Sequence, residues 1–384
     1  MASKVAEQKA KSMKNPFDFT LCITVILLLS LGLVMVMSAS APTSLSVTGN
    51  SYTYVIRQGI FAVLGLVIMG ILSKIDYHLY QKLYKIAYIV AIIALLSVAI
   101  PGIGVEVKGA RRWINLGFGQ FQPSEISKIC LIIFYAAYLT KHKSELQGFW
   151  KGFVKPFLFL VPPIAILFFI QDHLSACIVI IGIVSVMMIM AGTKMRYFMT
   201  VGVVGVVAAV AGMLILAQTT GIGGFRIARI TTFLDPWSDA TGDGWQVIQS
   251  LYAIGSGGLF GVGLGESKQK YLYIPEPHND FIFAILAEEL GFVGCFVVIA
   301  LFAIFAWRGI VTSMRAPDSF GSLVAIGITT LIGLQAIINI AVVTSSMPAT
   351  GMALPFFSYG GTALLILLAS VGVLLNISRA RAKV

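Results

Sequence analysis

Ionisable side chains are scarce in this chain, so the few that border apolar runs are the first to weigh for chemistry. The stretch YIPEPHNDFIFAILAEELGFVG, residues 273–294, passes from a Pro-broken polar loop directly into an apolar segment. Asp280 stands at the threshold, and Glu288 and Glu289 fall inside, where an unpaired charge costs roughly 3 kcal/mol or more. Two readings of Asp280 stand side by side. An Asp ahead of a helix is stabilised by the free amides and the dipole, as a cap. A carboxylate at a membrane surface, near cations from other loops, is also suited to act as a general base on a headgroup hydroxyl. Glu288 and Glu289 lie about two turns deeper and cannot both face the same way. At least one must pack against a partner helix or a polar cavity, and pairing inside the fold is the expected role.

Further candidates lie upstream. KGARRWINLGFGQFQPSEISK holds Lys108, Arg111, Arg112, Glu125 and Lys128. Pro123 and Ser124 read as a helix start, which sets Glu125 and Lys128 three apart on one face, where they can pair. Arg111 and Arg112 beside Trp113 are either anchors at headgroup level or a bidentate grip for a diphosphate. A second stretch, GGFRIARITTFLDPWSDATGDGWQVIQS, supplies Arg226 and Arg229, then Asp235, Asp239 and Asp243. The three acids approach calcium-loop spacing but lack its glycine and terminal glutamate, so they read as a solvated turn cluster.

The elements that must position these groups are membrane helices. Of 384 residues, 58% are hydrophobic and 11% charged, with mean hydropathy +0.92; that charge is about half of what a soluble domain carries. Apolar runs near 19–40, 58–73, 84–100, 124–140, 156–171, 174–192, 198–218, 281–306, 320–344 and 362–376 predict an all-α polytopic membrane protein of about ten transmembrane helices. The first run follows a Lys-rich stretch but is too long for a signal peptide and lacks a cleavage pattern, so it reads as a retained helix. Given these spans, 18 of the 27 basic residues and five of the 16 acids fall on one side, a split of +13 against −2. Basic residues concentrate in cytoplasmic loops, so both termini are expected in the cytoplasm. The net charge of +11 thus reports topology and contact with anionic lipid, and excludes nucleic acid as the partner. The expected organisation is a basic segment 1–17, one transmembrane domain 18–376 and a basic tail 377–384. Long outer stretches are expected at 101–123, at 219–280 between helices 7 and 8, and at 345–361. Within the second, GSGGLFGVGLGE is apolar yet too short to span, and suggests a re-entrant or interfacial segment packed on protein. Cys22, Cys130, Cys177 and Cys295 all lie in apolar runs without ligand spacing and read as small core residues.

Taken together, PEPHNDFIFAILAEELG, GARRWINLGFGQFQPSEISK, QVIQSLYAIGSGGLFGVGLG and MPATGMALPFFSYGGTALL resemble the shape, elongation, division and sporulation family, the FtsW/RodA/SpoVE group. The resemblance runs nearly the whole chain and looks closest to the division and sporulation branch. It implies a ten-helix peptidoglycan glycosyltransferase that polymerises lipid II on the outer face of the cytoplasmic membrane, during cell division or sporulation. Implied partners are lipid II, polyprenyl diphosphate, a class B penicillin-binding protein transpeptidase, other division or sporulation membrane proteins and membrane lipids. Residue by residue, Asp280 matches the catalytic carboxylate of the family's H-[TN]-D-F-I-F motif, with His278 at its head. Glu125 and Lys128 match P-S-E-x-x-K, and Ser358 and Tyr359 begin the S-Y-G-G signature. FIQDHLSAC departs from the family's Q-P-D-L-G-T, with Asp172 followed by His173 and no Pro, so no role is assigned to that turn.

The chemistry implied is direct. Asp280 takes the proton of the acceptor's 4-hydroxyl as it attacks the donor's anomeric carbon, and polyprenyl diphosphate leaves. Its charge is met by Arg111, Arg112, Arg226, Arg229 or a divalent cation (Mg or Mn), with no organic cofactor. One carboxylate suffices, because an activated leaving group needs no protonated acid. Two rivals remain at this level: a lipid II flippase using Glu288 and Glu289 as a path, and a noncatalytic scaffold.

Overall fold

The computed structural model describes residues 17–107, 110–115, 120–202, 232–242, 244–271 and 273–380. In chain order its longer helices are α1 (Phe19–Thr48), α2 (Thr53–Leu72), α3 (Tyr84–Leu96), α4 (Pro123–Lys141), α5 (Trp150–Ile170), α6 (Leu174–Ala191), α7 (Trp245–Gly257), α8 (Ile282–Met314), α9 (Ser319–Val343) and α10 (Gly361–Arg379). Seven of these, all but α3, α4 and α7, are long and apolar enough to cross a membrane. The expected spans coincide in position with α1–α6 and α8–α10. The run expected at 198–218 lies outside the described residues beyond 202.

Burial separates the centre of the bundle from its rim. The most apolar window of α9 is 67% buried and that of α10 61%, against 22% for α2. α9 therefore forms the axis, packed on α8, α6 and α4, while α2 lies against α10 and turns most of its surface outward. Phe281, Phe305, Phe320, Phe357 and Tyr135 fill the interior. α5 carries Pro156, Pro162 and Pro163 and has a π turn at each end, Trp150–Val154 and Ile166–Ile170. Proline removes an amide donor and clashes with the preceding turn, and the local rewinding accommodates both.

α8 is broken. Gly291 lies at φ 67° and ψ −166°, a conformation that side chains disfavour. A broken helix frees backbone groups, which inside a bilayer must find partners in the protein. Here the glycine-rich segment after α7 supplies them. Val262 and Gly263 amides donate to Glu288 and Glu289 carbonyls at 2.9 and 3.1 Å, and Phe292 and Val293 amides donate to Gly258 and Leu259 carbonyls at 2.9 and 3.1 Å. A Cβ on Gly261 would stand 2.1 Å from the Glu289 carbonyl oxygen, so only glycine permits this approach. The expectation of a segment packed on protein thus acquires a purpose: it splints the break in α8.

The 101–123 stretch, expected as an outer loop, contains a small antiparallel sheet in the order β1 (Gly104–Val107), β2 (Ala110–Asn115), β3 (Gln120–Phe121). Thr362 at the start of α10 donates to the Gln120 carbonyl at 3.0 Å and ties the sheet to the bundle.

Candidate active site

Asp280 sits half-buried on the turn that leads into α8. The N-cap position of that helix falls on Phe281, one residue later, with no side-chain capping bond. The turn is braced from two directions. Asn339, on the buried face of α9, donates through Nδ2 to the Asp280 carbonyl at 2.7 Å and the Met352 carbonyl at 2.6 Å. On the other side, Ser358 Oγ donates to the Asn279 carbonyl at 2.6 Å, and the Tyr359 amide donates to the His278 carbonyl at 2.8 Å. The Ser-Tyr-Gly-Gly loop and the His-Asn-Asp turn, about 80 residues apart in sequence, are thereby one unit. A Cβ on Gly351 would lie 3.7 Å from Asp280 Oδ2, which puts the 345–360 loop against the carboxylate.

A second group lies on α4. Lys128, 2% exposed, donates to Glu125 Oε1 at 2.8 Å, the pairing that the three-residue spacing requires. His173, on the turn before α6, is packed near Lys128 and Arg112; burial first, then these two cations, push its imidazole down to about 3. It therefore remains neutral across the physiological range. Two residues on, Ser175 Oγ donates to the Thr350 carbonyl, next to Gly351. The Ser175–Thr350 bond ties the start of α6 to the loop that carries Gly351 beside Asp280.

The two adjacent arginines part company. The β1–β2 register shifts between Val105 and Glu106, which leaves Arg112 as the extra residue of a bulge; Arg111 turns to Glu106 across the hairpin at 3.2 Å, while Arg112 Nε donates to the Gln171 carbonyl at 3.2 Å. They do not present one joint grip. Arg112 is at the turn beside His173, and Arg111 is 61% exposed. Arg226 and Arg229 lie outside the described residues. Asp235 and Asp239 accept from the Trp237 and Gly242 amides at 3.1 Å each, as in a turn cluster, and Asp243 also lies outside the described residues.

Glu288 and Glu289 are engaged inside the fold. Glu288 accepts from Ser267 Oγ and, at 3.0 Å, from the Lys268 amide. Glu289 accepts from Ser38 Oγ of α1 at 2.6 Å and pairs with buried Lys270 at 3.0 Å. Both carboxylates fasten the splint to α8 and α1, the pairing inside the fold that the sequence led one to expect.

Several site residues escaped the sequence reading. Arg57 bonds the Tyr359 hydroxyl; burial raises that phenol above its ordinary value, and the guanidinium offsets only part of the rise. Tyr54 stacks on Tyr359 at 5.0 Å, and Gln58 bonds the Ser358 carbonyl and Gly360 amide at 3.2 and 3.1 Å. The visible signal was an Arg-Gln pair in the first turns of an apolar span. Asn339 left a similar mark, a lone amide one turn after Gln335 within α9.

These features define a polytopic membrane protein with a polar site gathered at one end of its helices. A family model described as "Cell cycle protein", for the FtsW, RodA and SpoVE proteins, matches residues 19–383, and the chain belongs to that family. It is 43% identical over 330 residues to stage V sporulation protein E of Bacillus subtilis, spanning 86% of this chain and 88% of that protein. It is 44% identical over 329 residues to a probable peptidoglycan glycosyltransferase FtsW of Geobacter sp. (strain M18), with the same coverage, 86% and 88%. A chain of a solved peptidoglycan synthase complex, studied for its coordination of polymerization and crosslinking, superposes with a TM-score of 0.77 at 27% identity, covering 94% of this chain and 98% of that one. The crystal structure of the rod shape determining protein RodA of Thermus thermophilus gives 0.65 at 26% identity, covering 96% and 98%.

Proposed function

We propose that this protein is a peptidoglycan glycosyltransferase that polymerises lipid II into glycan strands at the outer face of the cytoplasmic membrane, in cell division or sporulation. The observation that carries the reading is the half-buried Asp280, held by Asn339 and by the Ser-Tyr-Gly-Gly loop at the head of α8, in a chain of this family. Asp280 accepts the proton of the acceptor's 4-hydroxyl; that oxygen bonds the donor's anomeric carbon as the bond to diphosphate breaks. Polyprenyl diphosphate departs with the electron pair, its charge met by Arg112, Arg226 and Arg229. Glu125 and Lys128 orient the headgroups, with His278, Ser358 and Tyr359 holding the turn, and Arg111 stands at the rim. A divalent cation would enter with the diphosphate. Among the described residues no three His, Cys, Asp or Glu side chains cluster as a resident site, so no step is assigned to an ion.

The proposed topology has ten spans, both termini and the basic segments 1–17 and 377–384 in the cytoplasm, and the Asp280 end outside. A class B penicillin-binding protein transpeptidase is the proposed partner. The test is purification with that transpeptidase, addition of labelled lipid II, and electrophoresis of the glycan product. Ladders from the wild type and none from a folded Asp280→Ala variant support the proposal; equal ladders from both would refute it.

A further inference from the structure

α1, α2 and α10 also converge at the opposite end of the bundle from Asp280. Between them opens a groove of about 620 Å³, within the range of small-molecule sites (roughly 300–1,000 Å³). Its walls are apolar, with Cys22, Val67 and Ile71 among them, and its mouth carries Lys74 and Arg379. No carboxylate lines it among the described residues. The nearby acid, Asp18, is turned to Arg308, with Nε to Oδ2 at 3.0 Å. Arg379 lies 5.3 Å over the Phe17 ring, which holds its guanidinium at the rim.

An apolar slot capped by cations matches one occupant. The geometry points to a binding site for a single anionic phospholipid, its acyl chain along α2 and its phosphodiester at Lys74 and Arg379. A basic mouth favours a negative headgroup over a zwitterionic one, and the slot requires a tail, which a free phosphate lacks. Assigning it to the cytoplasmic leaflet rests on the orientation proposed above; the binding itself does not.

Gly70 offers a clean probe of the slot, because a Cβ there meets nothing within 4 Å. Gly70→Leu narrows the slot and favours helix, while Lys74→Gln with Arg379→Gln removes the charges and leaves the slot open. The full-length protein, delipidated and placed in nanodiscs of phosphatidylglycerol and phosphatidylcholine in equal amounts, is released into a native mass spectrometer. The expected result is retention of one phosphatidylglycerol in preference to phosphatidylcholine. The double charge variant loses about 30-fold of that preference, from two cations at the usual strength of such contacts. Gly70→Leu retains less of the bound lipid than the wild type, and millimolar glycerol phosphate fails to displace it from the wild type. Equal retention of the two lipids, an unchanged preference in the charge variant, undiminished retention in Gly70→Leu, or displacement by glycerol phosphate would each overturn the inference. None of these readings depends on glycan synthesis, so this site and the proposed activity stand or fall separately; cysteine labelling from either side of the membrane tests the orientation.

Discussion

Removing either member of the buried Glu289–Lys270 pair tests how the broken helix is held. Both side chains are almost wholly enclosed, at 0% and 4% exposure, with Nζ to Oε1 at 3.0 Å. Breaking a buried pair from one side leaves an uncompensated charge and costs about 3–5 kcal/mol. Each partner here keeps other bonds: Glu289 retains Ser38 Oγ, and Lys270 retains Ser38 Oγ at 3.2 Å and the Gly265 carbonyl. The lower end is therefore expected, about 3 kcal/mol for Glu289→Leu and about the same for Lys270→Met. The double variant buries no lone charge, and apolar replacement of a whole buried pair is often close to neutral, so it is expected to lose less than either single variant and to fall well short of their sum. Reversible unfolding of the purified protein in mixed micelles, followed by tryptophan fluorescence, measures all four corners of the cycle. Single variants within about 0.5 kcal/mol of the wild type, or a double variant equal to the sum, would show that the pair does not hold the splint on α8.

Two further outcomes follow from the same geometry. Asn339→Leu withdraws the donor from two carbonyls at about 1–3 kcal/mol each, which frees the Asp280 turn, so glycan synthesis should fall at least about 10-fold while the protein remains folded; an unchanged rate would refute that bracing role. His78 bridges Asp76 at 2.7 Å and Asp318 at 3.4 Å, joining the turn after α2 to the start of α9. Its hydrogen bond to Asp318 raises the imidazole above its ordinary 6.5 despite partial burial. Burial alone would raise Asp318, but bonds from His78, Tyr77 and the Gly321 amide outweigh it and hold it at about 2, below 3.8. The His78 contribution is complete below 6.5 and lost as pH rises through its raised value; the Asp318 contribution is present above 3.8 and lost as pH falls towards 2. The difference in Tm between the wild type and His78→Gln should thus be largest near pH 4–6 and shrink in alkali. A difference that grows with alkali would contradict the linkage.

The sequence alone determined what is local. Twenty-residue apolar runs have one stable solution in a bilayer, so the positions of α1–α6 and α8–α10 were legible from composition and length. The Glu125–Lys128 pair was legible too, because helical spacing by itself brings such residues together. Interactions across the chain were not. Nothing in YIPEPHND says that its turn bonds Ser358 and Tyr359, or that Asn339 reaches its backbone, because those contacts span dozens of residues. Arg111 and Arg112 read as a pair until the irregular pairing of the hairpin gave them different partners. Glu288 and Glu289 read as acids that pair inside the fold, but their partners, Ser38 and the segment that splints the break at Gly291, could not be named from the letters. Spacing along one element is set by backbone geometry and can be read off the letters. Which elements meet is set by packing and by the demand that every buried polar group find a partner, and only the folded bundle resolves that demand.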